Sequence, residues 1–202
     1  LPFPITHSIR RDIPYFRDRG VELFFSQSSK NTLSVNGLNY YVASRLLWNA
    51  DANVDELLRE YDEKFYGPAA GAMRKYHERL ERAAIETGLE LSPGDHYPPF
   101  LKLFPEAVLA DCEAALAEAS SALEGASLAP EQAALLRARL ELSAASMRYT
   151  RKTMGYLGAM DTAVRSNDQG LFRGQARLDL ADATSKRRIL NNGMTEAKKF
   201  RV

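Results

Sequence analysis

Side chains able to do chemistry are few in this chain, and they lie far apart. There are three histidines, His7, His77 and His96, and one cysteine, Cys112, in 202 residues. Asp95-His96-Tyr97 sets an acid, a base and an aromatic side by side. Neighbours in sequence face one substrate together only in a sharply bent loop, so a packed connector outweighs a catalytic cluster there. His7 follows Thr6, and the ordinary reading of that pair is a helix-capping hydroxyl beside a surface imidazole. His77 falls on a polar helix face, where solvation is expected. Cys112 lies among alanines on the apolar side of a helical pattern, which predicts a buried thiol rather than a reactive one. The chain has no HExxH, CxxC, GxSxG or Gly-rich phosphate loop, and its histidines and cysteine lack the spacing of a metal site. No cofactor is expected.

Composition narrows the partners. Lys and Arg number 27 against 26 Asp and Glu, and the longest basic run is Lys186-Arg187-Arg188. That balance argues against nucleic acid or an anionic membrane as the main partner. No stretch approaches the roughly 20 apolar residues of a membrane span, and a single cysteine forms no internal disulfide. The chain opens on Leu1-Pro2-Phe3-Pro4, with neither an initiator Met nor a charged-then-apolar leader, and is expected to be part of a longer, trimmed protein.

The elements that would position these residues are mostly helices. Pro2 and Pro4 keep the opening extended, and a short helix capped by Thr6 or Ser8 runs towards Gly20, interrupted or restarted at Pro14. Val21-Glu22-Leu23-Phe24-Phe25, between Gly20 and Ser26-Gln27-Ser28-Ser29, reads as a buried strand. A lone strand leaves its backbone groups unpaired, so helix, Gly, apolar strand and polar loop together suggest one αβ step of a parallel sheet or barrel whose other strands lie upstream.

From Asn36 the period is helical. Leu38, Tyr41, Val42 and Leu46 mark one helix, and Asn53 with Glu56 caps the next, whose stripe is Val54, Leu57, Leu58, Tyr61 and Phe65. Gly67-Pro68 separates it from a helix carrying Met73, Tyr76 and Leu80, which Gly88 closes. After the connection 89–104, Pro105 opens a helix with Val108, Cys112, Leu116 and Leu123 inward. Pro130 opens a longer one, about 50 Å if unbroken to Arg165, in which Leu135, Ala138, Leu142, Ala145, Tyr149, Tyr156 and Met160 keep near-heptad spacing, making it the spine of an antiparallel bundle. A last helix is expected from Gln169 to Ile189. Tyr40, Tyr41, Trp48, Tyr61, Phe65 and Tyr66 could form a sugar platform, but most fall on core positions.

Gly37 to Glu81 resembles the C-terminal part of the DUF4838 family. The likeness is carried by Leu38-Asn39-Tyr40-Tyr41, Leu46-Leu47-Trp48, Asp51 to Leu57 and Phe65-Tyr66-Gly67-Pro68-Ala69-Ala70. It extends more weakly upstream to Gly20-Val21 and downstream into the Pro105 helix. The resemblance implies a large bacterial protein similar to glycoside hydrolases, in which a (β/α)8 barrel precedes a helical region, with secretion or a periplasmic location open. Such enzymes work with two carboxylates from middle barrel strands, and no residue of this chain matches them.

Barrel active sites lie at the C-terminal ends of strands, which makes Ser26, Gln27 and Ser28 the candidates to hydrogen-bond a carbohydrate, with His7 and Thr6 on the preceding loop. A solvated loop is the competing reading. Glu22, inside the strand, reads as a partner for a neighbouring base. The expectation is therefore a mainly α chain: residues 1–34 the end of a truncated (β/α)8 barrel, and 35–202 a bundle of about six helices buttressing it. The chain alone is expected to be inactive, and a carbohydrate is expected to reach the parent protein. The alternative is a non-catalytic interaction or assembly module that forms oligomers through the long helix.

Overall fold

The apolar stripes become α-helices in the computed structural model, which describes residues 1–26, 33–88 and 99–166. In chain order these are α1 (Thr6–Asp18), α2 (Leu33–Trp48), α3 (Val54–Tyr66), a 3₁₀ turn (Gly67–Ala69), α4 (Ala70–Thr87), the short α5 (Pro99–Leu103), α6 (Glu106–Glu124) and α7 (Pro130–Ser166). The chain is mainly α, as its periodicity predicts. It divides into two compact units, Leu1–Arg151 and Lys152–Val202. The first unit holds α1 to α6 and the part of α7 up to Arg151. The helix expected over Gln169 to Ile189 lies outside the described residues.

Leu38, Val42 and Leu46 form the buried stripe of α2, joined by Ile13 from α1 and Val54 from α3. Asn53 caps α3 as expected, its side chain accepting from the Asp55 and Glu56 amides at 3.0 and 3.4 Å. Met73, Tyr76, Leu80 and Ala83 bury one side of α4. On α6, Val108, Cys112, Leu116 and Leu123 face inward. Lys75 to Glu118 at 2.7 Å and Arg79 to Asp111 at 2.8 Å make α4 and α6 antiparallel.

The two helices at the start run the other way, parallel to each other. Asn39, in the second turn of α2, holds the chain just before α1: its Oδ1 accepts from Ile5 N and its Nδ2 donates to Phe3 O, both at 2.9 Å. At the far end Arg17 Nη1 meets Asp51 at 2.7 Å, just past α2.

Three expectations are corrected. The strand over Val21–Phe25 is not formed, and no β-strand occurs among the described residues. Leu23 and Phe25 are 91% and 89% exposed, and Trp48 is 92% exposed rather than packed. A ladder needs neighbouring strands, and among the described residues there are none; after α1 the chain continues as an unpaired apolar segment over 21–26. In α1 the helix continues through Pro14, and Thr6 is not its cap: Ile5 is, with no side-chain bond. In α7 the buried seam is Leu136, Leu140, Ser143, Met147 and Thr150, one or two residues away from the near-heptad series of the sequence, while Leu135, Leu142 and Tyr149 are about half exposed. The true seam contains two hydroxyl residues, which disguise it in a hydropathy pattern.

Gly67 ends α3 at φ +54, where a side chain is strained, and a Cβ there would stand 3.1 Å from Leu136 Cδ1. Gly67→Ala is expected to lower stability by about 1–3 kcal/mol. Gly71→Ala, in open space within α4, should instead raise it by up to about 1 kcal/mol. Urea unfolding of the two variants measures both, and equal effects would contradict the strain at Gly67.

Candidate functional site

Polar chemistry in the first unit collects where α3 and α4 face each other across the Gly67 turn. Asp62 of α3 is 2% exposed, and its Oδ1 lies 2.9 Å from His77 Nδ1 on α4. Arg74 Nε is 3.7 Å from the other oxygen. A carboxylate only accepts, so it selects the imidazole form with the proton on Nδ1. His77 is therefore not the solvated surface residue that its helix face suggests.

Tyrosines enclose the imidazole. The rings of Tyr61, Tyr66 and Tyr76 lie 6.1, 5.9 and 5.4 Å from that of His77. Burial pushes the Tyr66 phenol up to about 12 and raises Tyr61 and Tyr76 as well. All three stay protonated at neutral pH and can donate. Tyr66 Oη is 3.0 Å from Ser143 Oγ, which brings α7 to the cluster. Arg139, also from α7, donates to Phe65 O at 3.0 Å, with its guanidinium 4.4 Å from the Phe65 ring centre. It thereby serves as the C-cap of α3. Asn39, the three tyrosines, His77 and Ser143 share a cavity of about 20 Å³, room for one water.

An Asp–His pair is the base half of a nucleophilic triad, but the nearby hydroxyls are phenols held protonated and a serine already bonded to one of them. The arrangement fixes helices; it does not assemble a nucleophile.

A second cluster joins α4 to the start of α1. Glu81 Oε1 accepts from Thr6 Oγ1 at 2.5 Å and from His7 N at 2.7 Å, and lies 3.0 Å from His7 Nδ1. Since Ile5 has no side chain able to cap α1, a carboxylate from α4 supplies the acceptor that the helix start requires. Thr6 is buried by this contact, and His7 stays exposed.

The predicted carbohydrate contacts do not converge within the described residues. Ser26 is exposed at the end of the extended segment, and His7 is anchored to Glu81, with no hydrogen bond between His7 and Ser26. Gln27 and Ser28 lie outside the described residues, as does Asp95-His96-Tyr97. Glu22 is exposed and makes no ion pair among the described residues. Cys112 is fully buried, as expected, and burial pushes its thiol up to about 12. Among the described residues no group of three or more His, Cys, Asp or Glu could hold a metal, and no helix is long and apolar enough to cross a membrane.

Sequence reasoning missed the Asp62–His77 pair, although one signal was present. Asp62 stands four residues after Leu58, at the edge of an otherwise apolar stripe, and a carboxylate at such a position calls for a partner.

Fold and site together define a helical bundle pinned by buried polar pairs. Its residues 1–78 match the family DUF4838, described as a domain of unknown function, the same family that Gly37 to Glu81 resembles. The match takes in α1, the extended segment, α2, α3 and the first half of α4, ending one residue after His77, and it does not reach α6. No curated protein and no solved structure matches the chain.

Asp62→Ala leaves His77 without its acceptor, removes an ion-pair partner of Arg74, and is expected to cost about 2–3 kcal/mol; a loss under about 0.5 kcal/mol in denaturant unfolding would show that the pair does not hold α3 to α4. Cys112 should resist iodoacetamide in the folded chain at pH 8 and react on unfolding, as read by mass spectrometry. Its folded pKa of about 12 lies above the ordinary 9.0. Below pH 9 the thiol is protonated in both states and adds no pH dependence; between 9 and 12 only the unfolded chain releases the proton, so stability falls as pH rises. Cys112→Ala should flatten the alkaline limb of the stability curve, leaving the part due to the buried tyrosines Tyr61, Tyr66 and Tyr76.

Proposed function

We propose that this chain is the helical C-terminal portion of a glycoside-hydrolase-like, carbohydrate-active protein, buttressing a catalytic barrel built mostly from the polypeptide before it. The observation that carries the reading is the pairing of α1 and α2. Two parallel helices with an exposed apolar run following the first match the order of one step in a parallel α/β barrel, where consecutive helices lie side by side and the strand returns between them. The DUF4838 match covers this step. On this reading residues 1–34 belong to the barrel and the rest to the buttress. Ser26, Gln27 and Ser28 follow the strand at its ligand end and offer hydroxyl and amide groups to a sugar, and His7 precedes the neighbouring helix. The two carboxylates that glycoside hydrolysis requires come from elsewhere in the polypeptide.

The natural open reading frame containing this chain, assayed on a panel of glycans, is expected to show hydrolysis, and the 202-residue chain alone none. Turnover by the isolated chain that is lost on changing one of its own carboxylates would sink the proposal, as would a complete polypeptide inert on every glycan.

A second reading, an assembly module without catalysis, is favoured by one observation. Leu135 and Leu142, seven residues apart on α7, are each about half exposed, with Ala138 and Ala145 between and beyond them. That is coiled-coil spacing on an outward face. Sedimentation decides: a dimer that dissociates on Leu142→Glu supports this reading, and a monomer across micromolar concentrations removes it.

A further inference from the structure

The chain opens with two prolines set two residues apart, Pro2 and Pro4, and both are buried. Burial alternates along this opening: Pro2, Pro4 and Thr6 are buried, while Leu1, Phe3 and Ile5 are only partly covered. A period of two belongs to an extended chain with one face against the protein. The prolines impose that extension, because each fixes its own φ and pushes the residue before it, Leu1 or Phe3, into the extended region. Residues Leu1–Ile5 also carry no polar side chain, so whatever holds them must read backbone and ring shape.

This strap lies in a groove formed by α2, α3 and α4. Pro2 and Pro4 line one cavity with Tyr61, Tyr66, Tyr76 and His77, and with both rings seated only about 20 Å³ is left unfilled. Asn39, 8% exposed, spends both ends of its side-chain amide on the strap: Oδ1 accepts from Ile5 N and Nδ2 donates to Phe3 O, each at 2.9 Å. The carbonyl of one residue and the N–H two residues on share an edge of an extended chain, so this single amide does what a residue of a neighbouring strand would do. Pro2 and Pro4 have no N–H to leave unpaired on the opposite edge.

We infer that this groove is a binding site for extended Pro-x-Pro peptide segments, filled in this chain by its own Leu1–Ile5 and open to a Pro-x-Pro segment of another polypeptide when the strap is displaced. Three features select this ligand. First, a groove walled by tyrosine and histidine rings suits proline-rich peptide, whose extended form is set in advance and loses little entropy on docking. Second, Asn39 is buried and demands a backbone in front of it: an apolar side chain filling the groove would leave its donor and acceptor unpaired. Third, the groove and α1 are both held without the strap. Asp62–His77 and Tyr66–Ser143 fix the walls, while Glu81 keeps the start of α1 through Thr6 and His7, and Arg17–Asp51 keeps its far end. The strap can therefore leave a preorganised site behind it.

The test uses the 202-residue chain and a fluorescent peptide with the sequence of Leu1–Ile5, blocked at both ends. In the wild-type chain the tethered strap competes at an effective concentration on the order of millimolar, so the peptide should bind weakly. Pro2→Glu with Pro4→Glu removes the competitor, and this double variant should bind the peptide at least about 10-fold more tightly. Adding Asn39→Leu should abolish binding, and a peptide with alanine at both proline positions should bind at least about 10-fold more weakly than the parent peptide. Circular dichroism and the unfolding midpoint show which variants are folded. Should the double variant unfold, hydrogen–deuterium exchange of the wild-type chain decides: unlabelled peptide in millimolar excess should speed exchange of the Ile5 amide, released from Asn39, and leave the amides within α4 unchanged. A folded double variant that binds no peptide overturns the inference. So do equal affinities for the proline and alanine peptides, binding that survives Asn39→Leu, or an Ile5 amide in the wild-type chain that is indifferent to the peptide.

Discussion

A carboxylate withdrawn almost completely from water must be met by donors, and Asp62 is such a group. Its two oxygens take up His77 and Arg74 from α4, so the angle and register of α3 against α4 are those that let the three side chains meet. The consequences spread outward. His77 sits among Tyr61, Tyr66 and Tyr76, burial keeps those phenols protonated, and Tyr66 uses its hydroxyl to reach Ser143 on α7. An apolar core alone would hold these helices together at many rotations. Directional bonds to a buried charge exclude most of them, because every alternative leaves the carboxylate unpaired.

The same logic shows that the stretch matching DUF4838 is not physically self-contained. Thr6 and His7 are bonded to Glu81, three residues past the end of the match, and Phe65 and Tyr66 are bonded to Arg139 and Ser143, more than sixty residues past it. Removing everything after residue 78 would leave α1 with no acceptor at its start and α3 with uncapped carbonyls at its end. The two halves of the first unit are joined by side chains placed at helix termini, where backbone groups are open to such bonds. The later helices are therefore part of what holds α1 to α3 in place.

Much of this fold was legible in the sequence, because helix starts, stops and apolar stripes are local features. Asn53, the Gly67-Pro68 turn, Gly88 and the Leu38–Val42–Leu46 stripe stand where periodicity and capping chemistry put them. Non-local pairing was what stayed hidden. His77 looked solvated because its partner is fifteen residues away on another helix, and Thr6 looked like a cap because Glu81 is seventy-five residues away. The α7 seam was displaced by one or two residues for a related reason. Ser143 and Thr150 face inward because each has a bond there, to Tyr66 Oη and to the Ser146 carbonyl. Hydropathy assigns such residues outward and shifts the stripe to the half-exposed leucines. Of the candidate carbohydrate contacts, only the chemical type was readable. Gln27 and Ser28 lie outside the described residues, and His7 and Ser26 are not brought together within them.

The extended segment connects these points, since it fails as a strand for the reason that the helices succeed. A helix pairs its own backbone, so α1 and α2 form once their shared apolar faces meet. A strand's pairing is always supplied by something else. The segment contributes little to the α1–α2 arrangement, which is fixed by Asn39 at one end, Arg17 with Asp51 at the other, and Ile13, Leu38 and Val42 between. The spacing and direction of the helix pair are consequently set by its own contacts, without the apolar segment. That separates two tasks within one stretch of sequence. Polar clamps set the framework, and the exposed apolar run has little part in holding it.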